Sequence, residues 1–410
     1  MRNIYTLFIL AYYTIIRVIA LFNTKAKLFV LGRKNVWAQL ANFKPNGTET
    51  YWFHCASLGE FEQARPIIEA LKLKNKLTQV VVTFFSPSGY EVRKNYPLAD
   101  VVCYLPMDTL HNATQFITAI QPTKVFFIKY EFWFNYIHIL HTRNIPTYYV
   151  CALFRPNQYF FKWYGKWFAN QLKHITNYFT QNTQTAELLT TIGIAQHTVV
   201  GDTRYDRVQS IAAQAQPIAI VNQFAQGKKL LVIGSSWSVD EAMWLHIYKN
   251  NAELQHNYKL IFAPHNVTTA NVDALLELFS NYKVSKYSSY NAGIESNVLI
   301  IDNVGMLSSL YSMAHIAYIG GGFGKAVHNT LEAAVYGIPV VFGPKHAKFY
   351  EIQELLATHS AVSVTTANEL ELTVLKLITD VNYYTQLCIN AKTFVSQRTG
   401  ATQAILHSTN

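Results

Sequence analysis

Residues 79–91, QVVVTFFSPSGYE, run from an unbroken apolar stretch through a Ser-Pro-Ser-Gly turn into a helical pattern. A strand apolar at every position is buried on both faces, the condition of a parallel sheet covered by helices. The turn residues mark where strand gives way to helix. The same unit recurs on either side: TYWFHCA (50–56), DVVCYLP (100–106), KVFFIKY (124–130), PTYYVCAL (146–153) and HTVVGD (197–202) are separated by helical stretches. This βα alternation implies an α/β domain with a parallel sheet.

Residues 206–226, polar and rich in Ala and Gln, read as a linker or connecting helix. The alternation then restarts with KKLLVIGSSW (228–237), YKLIFAPH (258–265), NVLIID (297–302), HIAYIGGG (315–322) and PVVFGP (339–344). A chain of 410 residues is long enough for two cores. The expected organisation is an N-terminal segment over 1–40, one α/β domain over 41–210, a second over 211–385 and a C-terminal helix over 386–410. Two such domains are expected to face one another across a cleft, with ligand groups just after the strands.

Half of the residues are hydrophobic and 14% are charged, which excludes a disordered chain. A net charge of +10 favours anionic partners. Nucleic acid is not expected, because the basic residues are dispersed and no nucleic-acid-binding motif occurs. Cys55, Cys103, Cys151 and Cys388 are too scattered for a metal knuckle or a disulfide framework and suit a reducing cytoplasm. Residues 4–22, IYTLFILAYYTIIRVIALF, form an apolar run followed by Lys25, Lys27, Arg33 and Lys34. Three readings stand open for it: a helix across the bilayer, a helix in the headgroup layer with its cations on acidic lipid, or a buried helix.

Several motifs sit just after the strands. The glycine turn 320–322 and the Asn329-Thr330-Leu331-Glu332 segment offer backbone N–H groups to an anion, with Glu332 able to bond ribose hydroxyls. Equally, Asn329 and Glu332 satisfy the pattern of a helix cap. Ser57, Gly59 and Glu60 pose the same choice: Ser-x-x-Glu is a capping box, and a carboxylate at the mouth of a cleft is a general base. His265 and Arg204 supply donors after other strands. Gly324-Lys325 lacks the Ser or Thr of a Walker loop. No cofactor is expected, and no metal, because no ligand cluster appears.

These motifs together resemble the Kdo transferases, which add 3-deoxy-D-manno-octulosonic acid from CMP-Kdo to the lipid A precursor. The resemblance rests on the hydrophobic N-terminal segment and on WFHCASLGE (52–60), FFSPSGYE (84–91), LPMD (105–108), KYEFWFN (129–135), VVGDTRYD (199–206), GSSWSVDE (234–241), FAPHN (262–266), HNTLEAA (328–334) and FGPKHAKF (342–349), in the family's order. It implies a GT-B fold of two Rossmann-like domains with a membrane helix, at the cytoplasmic face of the inner membrane, the N-terminal domain receiving the acceptor, the C-terminal domain binding CMP-Kdo and the final helix, 386–410, crossing back to the first domain. It also implies inversion at the Kdo anomeric carbon without metal, in lipopolysaccharide biosynthesis. Glu60 then corresponds to the base, while Glu131 and Arg204 support the transition state. CMP-Kdo contacts fall on Pro264, His265, Val304, Gly305, Met306, Asn329, Thr330, Leu331 and Glu332, with Ser235 and Ser236 as further candidates. The implied partners are CMP-Kdo, a lipid A precursor and acidic membrane lipid. His265, Met306, Lys129, Arg204 and Thr330 depart from the family's commonest residues. A GT-B transferase using a UDP-sugar is the alternative; a nucleotide-sugar epimerase and a non-catalytic binding module fit the motifs less well.

Overall fold

The computed structural model describes residues 1–293 and 295–409. Its contacts divide the chain into two compact units, one of Met1–Arg207 with the segment from Thr399 onward, the other of Val208–Arg398.

The first unit holds a seven-stranded sheet: β1 (Thr50–Cys55), β2 (Gln79–Phe84), β3 (Val101–Tyr104), β4 (Lys124–Ile128), β5 (Thr147–Ala152), β6 (Asn177–Thr180) and β7 (His197–Val199). Every pairing is parallel, in the order β3-β2-β1-β4-β5-β6-β7. β1, β2 and β5 are buried at every position, as unbroken apolar runs require. Trp52, Phe127 and Tyr149 pack on one face of the sheet, Phe53, Phe126 and Val150 on the other.

The second unit repeats the plan with β8 (Lys229–Ser236), β9 (Tyr258–Pro264), β10 (Val284–Lys286), β11 (Val298–Ile300), β12 (Ile316–Ile319), β13 (Val340–Phe342) and β14 (Val362–Ser363). Their order is β10-β11-β9-β8-β12-β13-β14, again all parallel. Each sheet has a switch point where neighbouring strands lead the chain in opposite directions, between β1 and β4 in the first and between β8 and β12 in the second. Such switch points open a crevice at the carboxyl ends of the strands, the place where doubly wound sheets bind ligands.

Of the two readings of 206–226, the structure has the helical one: the stretch comprises parts of two helices, Thr203–Gln214 and Ala219–Ala225. The C-terminal stretch is also two helices, Val381–Ser396 and Ala401–Thr409, broken at Gly400, whose φ of +108° suits glycine. The second of them belongs to the first unit. There Ile405 is fully buried with Phe61 and Ile68, and Asp206 accepts the backbone N–H of Thr402 at 2.7 Å.

The N-terminal run forms the helix Arg2–Ile19, whose 18 residues span about 27 Å at 1.5 Å each. Among the described residues no helix is long and apolar enough to cross a membrane. Ile9, Tyr13 and Ile16 pack against Phe29, Val30 and Met107, and the Tyr5 phenol donates to Asp108 at 2.6 Å. Ile4, Leu7, Phe8, Ile15 and Val18 are left exposed on the helix. The helix is therefore apolar on more than the side that the protein covers, which a buried helix is not.

Candidate active site

At the switch point of the first sheet, β1 ends at Cys55 and the chain turns through Ala56 and Ser57 into the helix Leu58–Lys74. Glu60 lies in the first turn, where its carboxylate accepts the Ser57 backbone N–H at 2.7 Å and the Ser57 hydroxyl at 3.2 Å. The capping role is thus realised. It does not exhaust the residue, because Glu60 is only 6% exposed. Burial, and next the charge of Glu131, raise its carboxyl to about 7, against the opposing pull of Lys129 and the Ser57 bonds. A carboxyl poised there changes charge near neutral pH, as a general base must.

β4 delivers the other half of the crevice. Lys129 follows it with φ +62°, a left-handed conformation uncommon in a residue with a side chain, and its N–H is held by the Val150 carbonyl at 2.9 Å. Two residues on, Glu131 Oε2 stands 3.5 Å from Nε2 of the fully buried His54 on β1. His54 is locked: Nδ1 meets the Thr83 hydroxyl at 2.9 Å, and Nε2 lies 2.9 Å from the Trp133 indole N–H, which donates to it. Burial pushes the imidazole below its ordinary value. His54, Thr83 and Trp133 were not among the expected site residues; the signal was a lone polar ring inside the apolar run 50–56.

Arg204 begins the helix after β7 and already has a partner, since its Nε and Nη2 donate to Asp202 at 3.0 and 2.8 Å. Asp202 also accepts from Gln63 and Gln181, at 2.8 and 3.1 Å. The Asp202 carboxyl is buried, yet the Arg204 guanidinium holds it below its ordinary value.

In the second unit, the turns after β8 and β12 are tied by the buried Asp240, which accepts from the N–H groups of Trp237 and Gly321 at 3.0 Å and the Tyr318 phenol at 2.7 Å. Ser235 takes φ +53° at a break in the β8–β9 register, and a side chain on Gly320 would collide with its carbonyl. Ser236 donates to Glu241 at 2.7 Å. Pro264 ends β9 and His265 follows it, its N–H donating to the Ser236 carbonyl at 3.0 Å. Val304, Gly305 and Met306 follow β11, with Val304 fully open to solvent contact at 87% exposure.

The helix expected from Asn329 is one turn, Leu331–Ala334. Asn329 accepts the Leu331 N–H at 3.2 Å and donates to Glu332 at 2.9 Å, but the residue at the N-cap is Thr330 and no side chain caps the turn, so the capping box expected of Asn329 and Glu332 does not form. Between them the buried Thr330 hydroxyl has no hydrogen-bond partner among the described residues. Among those residues no group of three or more His, Cys, Asp or Glu side chains converges as a metal site.

Residues 31–207 match the family described as 3-deoxy-D-manno-octulosonic-acid transferase (kdotransferase). The 3-deoxy-D-manno-octulosonic acid transferase of Chlamydophila psittaci is 26% identical over 322 residues, covering 76% of this chain and 73% of the relative. That of Aquifex aeolicus is 26% identical over 313 residues, covering 76% and 80%. Among solved structures, UDP-GlcNAc 2-epimerase of Neisseria meningitidis superposes with a TM-score of 0.60 at 15% identity, over 88% of this chain and 99% of that one. MurG of Acinetobacter baumannii gives 0.56 at 12%, over 88% and 99%. At such identities these two structures speak for the fold alone.

Two parallel α/β units of this plan, with these relatives, define an enzyme: a glycosyltransferase of the GT-B fold. The family that residues 31–207 match, and the relatives that carry the likeness over three quarters of the chain, are the 3-deoxy-D-manno-octulosonic-acid transferases, the Kdo transferases.

Proposed function

We propose that the chain transfers Kdo from CMP-Kdo to a glucosamine hydroxyl of a lipid A precursor in lipopolysaccharide biosynthesis, with Glu60 as general base. The observation that carries this reading is Glu60 itself. It is buried at the switch point of the first sheet with its carboxyl raised to about 7, within the stretch that matches the family. Glu60 takes the hydroxyl proton as the acceptor oxygen bonds to the Kdo anomeric carbon. The bond from that carbon to the CMP phosphate breaks on the opposite face, so the configuration inverts and CMP leaves with the electron pair.

In this reading Glu131 and Arg204 support the transition state. The second unit binds CMP-Kdo through Pro264, His265, Val304 to Met306 and Asn329 to Glu332, with Ser57, Gly59, Ser235 and Ser236 in supporting places. The reaction needs no metal or other cofactor, because protein donors meet the developing charge. The exposed apolar residues of the helix Arg2–Ile19, with Arg17, Lys25 and Lys27 nearby in sequence, support its lying in the headgroup layer of acidic lipid at the cytoplasmic face of the inner membrane.

The test is transfer of Kdo to a tetraacylated lipid A precursor, with CMP-Kdo generated in place and chelator present, for wild type and Glu60→Gln. Transfer by the wild type alone is expected. A folded wild type that ignores CMP-Kdo and accepts a UDP-sugar would refute the donor assignment.

A further inference from the structure

At the switch point of the second sheet three rings and one ammonium stand together. Trp237, just after β8, stacks on His265 with centroids 4.7 Å apart and planes 22° from parallel. His265 stacks in turn on His328, at 4.2 Å and 23°. The Trp237 indole N–H donates to His328 Nε2 at 3.2 Å, which locks the outer rings to each other. Lys325, from the loop after β12, places Nζ 4.6 Å from the centroid of the Trp237 ring, a cation–π contact.

The charge of this group rests on Lys325. Burial pushes both imidazoles below their ordinary value, His328 to about 4, and the neighbouring Lys325 adds to the effect on His265. Both rings are therefore neutral at physiological pH. Among the described residues Lys325 has no acidic partner, whereas nearby Lys345 donates its ammonium to the Gly324 carbonyl at 2.7 Å. Lys325 and His265 are exposed, and Trp237 and His328 are half-buried, so the group is both organised and accessible. An uncompensated ammonium seated on a fixed ring beside the glycine turn 320–322 has the chemistry of an anion receptor.

We propose that Lys325, seated on Trp237, binds an anionic group of the sugar-nucleotide donor, its phosphate or its sugar carboxylate, and that the Trp237–His265–His328 stack holds the ammonium in place. None of Trp237, Lys325 and His328 belongs to the donor contacts named above, and the inference rests on the CMP-Kdo reading. It makes Lys325 a determinant of donor charge, the side-chain cation beside the backbone N–H groups of the turn 320–322.

Calorimetric titration of the full chain with CMP and with cytidine, alongside the KM for CMP-Kdo, tests this for wild type, Lys325→Met and Lys325→Arg. One lost charge-assisted bond weakens binding on the order of tenfold or more. If the partner is the phosphate, Lys325→Met loses affinity for CMP, keeps that for cytidine, and Lys325→Arg recovers part of the loss. If the partner is the sugar carboxylate, CMP binding is unchanged and only the KM for CMP-Kdo rises. Unchanged CMP affinity together with unchanged KM overturns the proposal while leaving the donor reading intact. A wild type that binds neither CMP nor CMP-Kdo overturns both.

Discussion

His54 Nε2 lies 3.5 Å from Glu131 Oε2, yet its lone pair is already taken by the Trp133 indole N–H at 2.9 Å. The imidazole therefore has no proton to give Glu131 while it is neutral, and its Nδ1–H points to Thr83. What His54 does is hold the turn 129–133 against β1 through Trp133. His54→Phe leaves the half-buried Trp133 indole N–H without its acceptor, at about 1–3 kcal/mol, while the Thr83 hydroxyl keeps the Trp52 indole N–H at 2.8 Å. Urea denaturation should show a loss on the order of 1–3 kcal/mol, and an unchanged midpoint would contradict this account.

Glu60 acts as a base only when ionised, and its carboxyl stands at about 7. Transfer measured as kcat/KM should fall as pH drops below about 7, roughly tenfold per unit, and level off above it. Glu60→Gln should lose about 10² to 10⁴ in rate and with it the acidic limb. A variant with the wild-type pH profile would remove Glu60 from the mechanism.

The same shift makes a prediction about stability, with a definite sign. The folded chain keeps a proton on Glu60 that the unfolded chain releases near the ordinary value of 4.5. The stability linked to that proton is full below this lower value and is lost as pH rises through about 7. Glu60→Gln carries no such dependence, so its stability relative to wild type should grow by on the order of 2–3 kcal/mol from pH 4.5 to 8. Parallel urea curves at the two pH values would test it, and a pH-independent difference would contradict the raised carboxyl.

Tyr5 anchors the N-terminal helix by donating to Asp108, which also accepts the Asn135 and Tyr136 N–H groups at 3.1 Å. Tyr5→Phe removes only the hydroxyl and should cost about 1.5–3 kcal/mol, the usual range for a bond to a charged group. The loss should show first as faster proteolysis or amide exchange in Arg2–Ile19. Protection equal to wild type would mean that the apolar packing of Ile9, Tyr13 and Ile16 suffices.

Leu7 and Phe8 are 66% and 71% exposed on that helix. Replacing both with Glu should abolish sedimentation with vesicles containing acidic lipid while leaving CMP binding unchanged. Undiminished sedimentation would place the lipid contact elsewhere.

The two parallel sheets were legible because β1, β2 and β5 are buried on both faces and read as continuous apolar runs. β10, Val284–Lys286, gave no such sign: it is a half-exposed edge strand of three residues. The stretch 206–226 left linker and connecting helix both open because its helices carry many polar residues. Ser57 with Glu60, and Asn329 with Glu332, were visible as motifs. The choice between cap and function was not, since Ser57 and Glu60 do form the capping box while Asn329 and Glu332 bond only side chain to side chain. Nor could spacing reveal that Trp133 meets His54, a contact made across 79 residues.

The return of Ala401–Thr409 to the first unit, with Ile405 in its core, bears on the order of synthesis. A nascent chain leaving the ribosome makes the seven strands of the first sheet early, but the side chain that completes one face of their core arrives only after the whole second unit. The unit begun first is thus completed after the second. Its helix Leu58–Lys74, which carries Glu60, must wait with Phe61 and Ile68 short of a neighbour until the second unit has been made, a window in which chaperones and proteases have access to it.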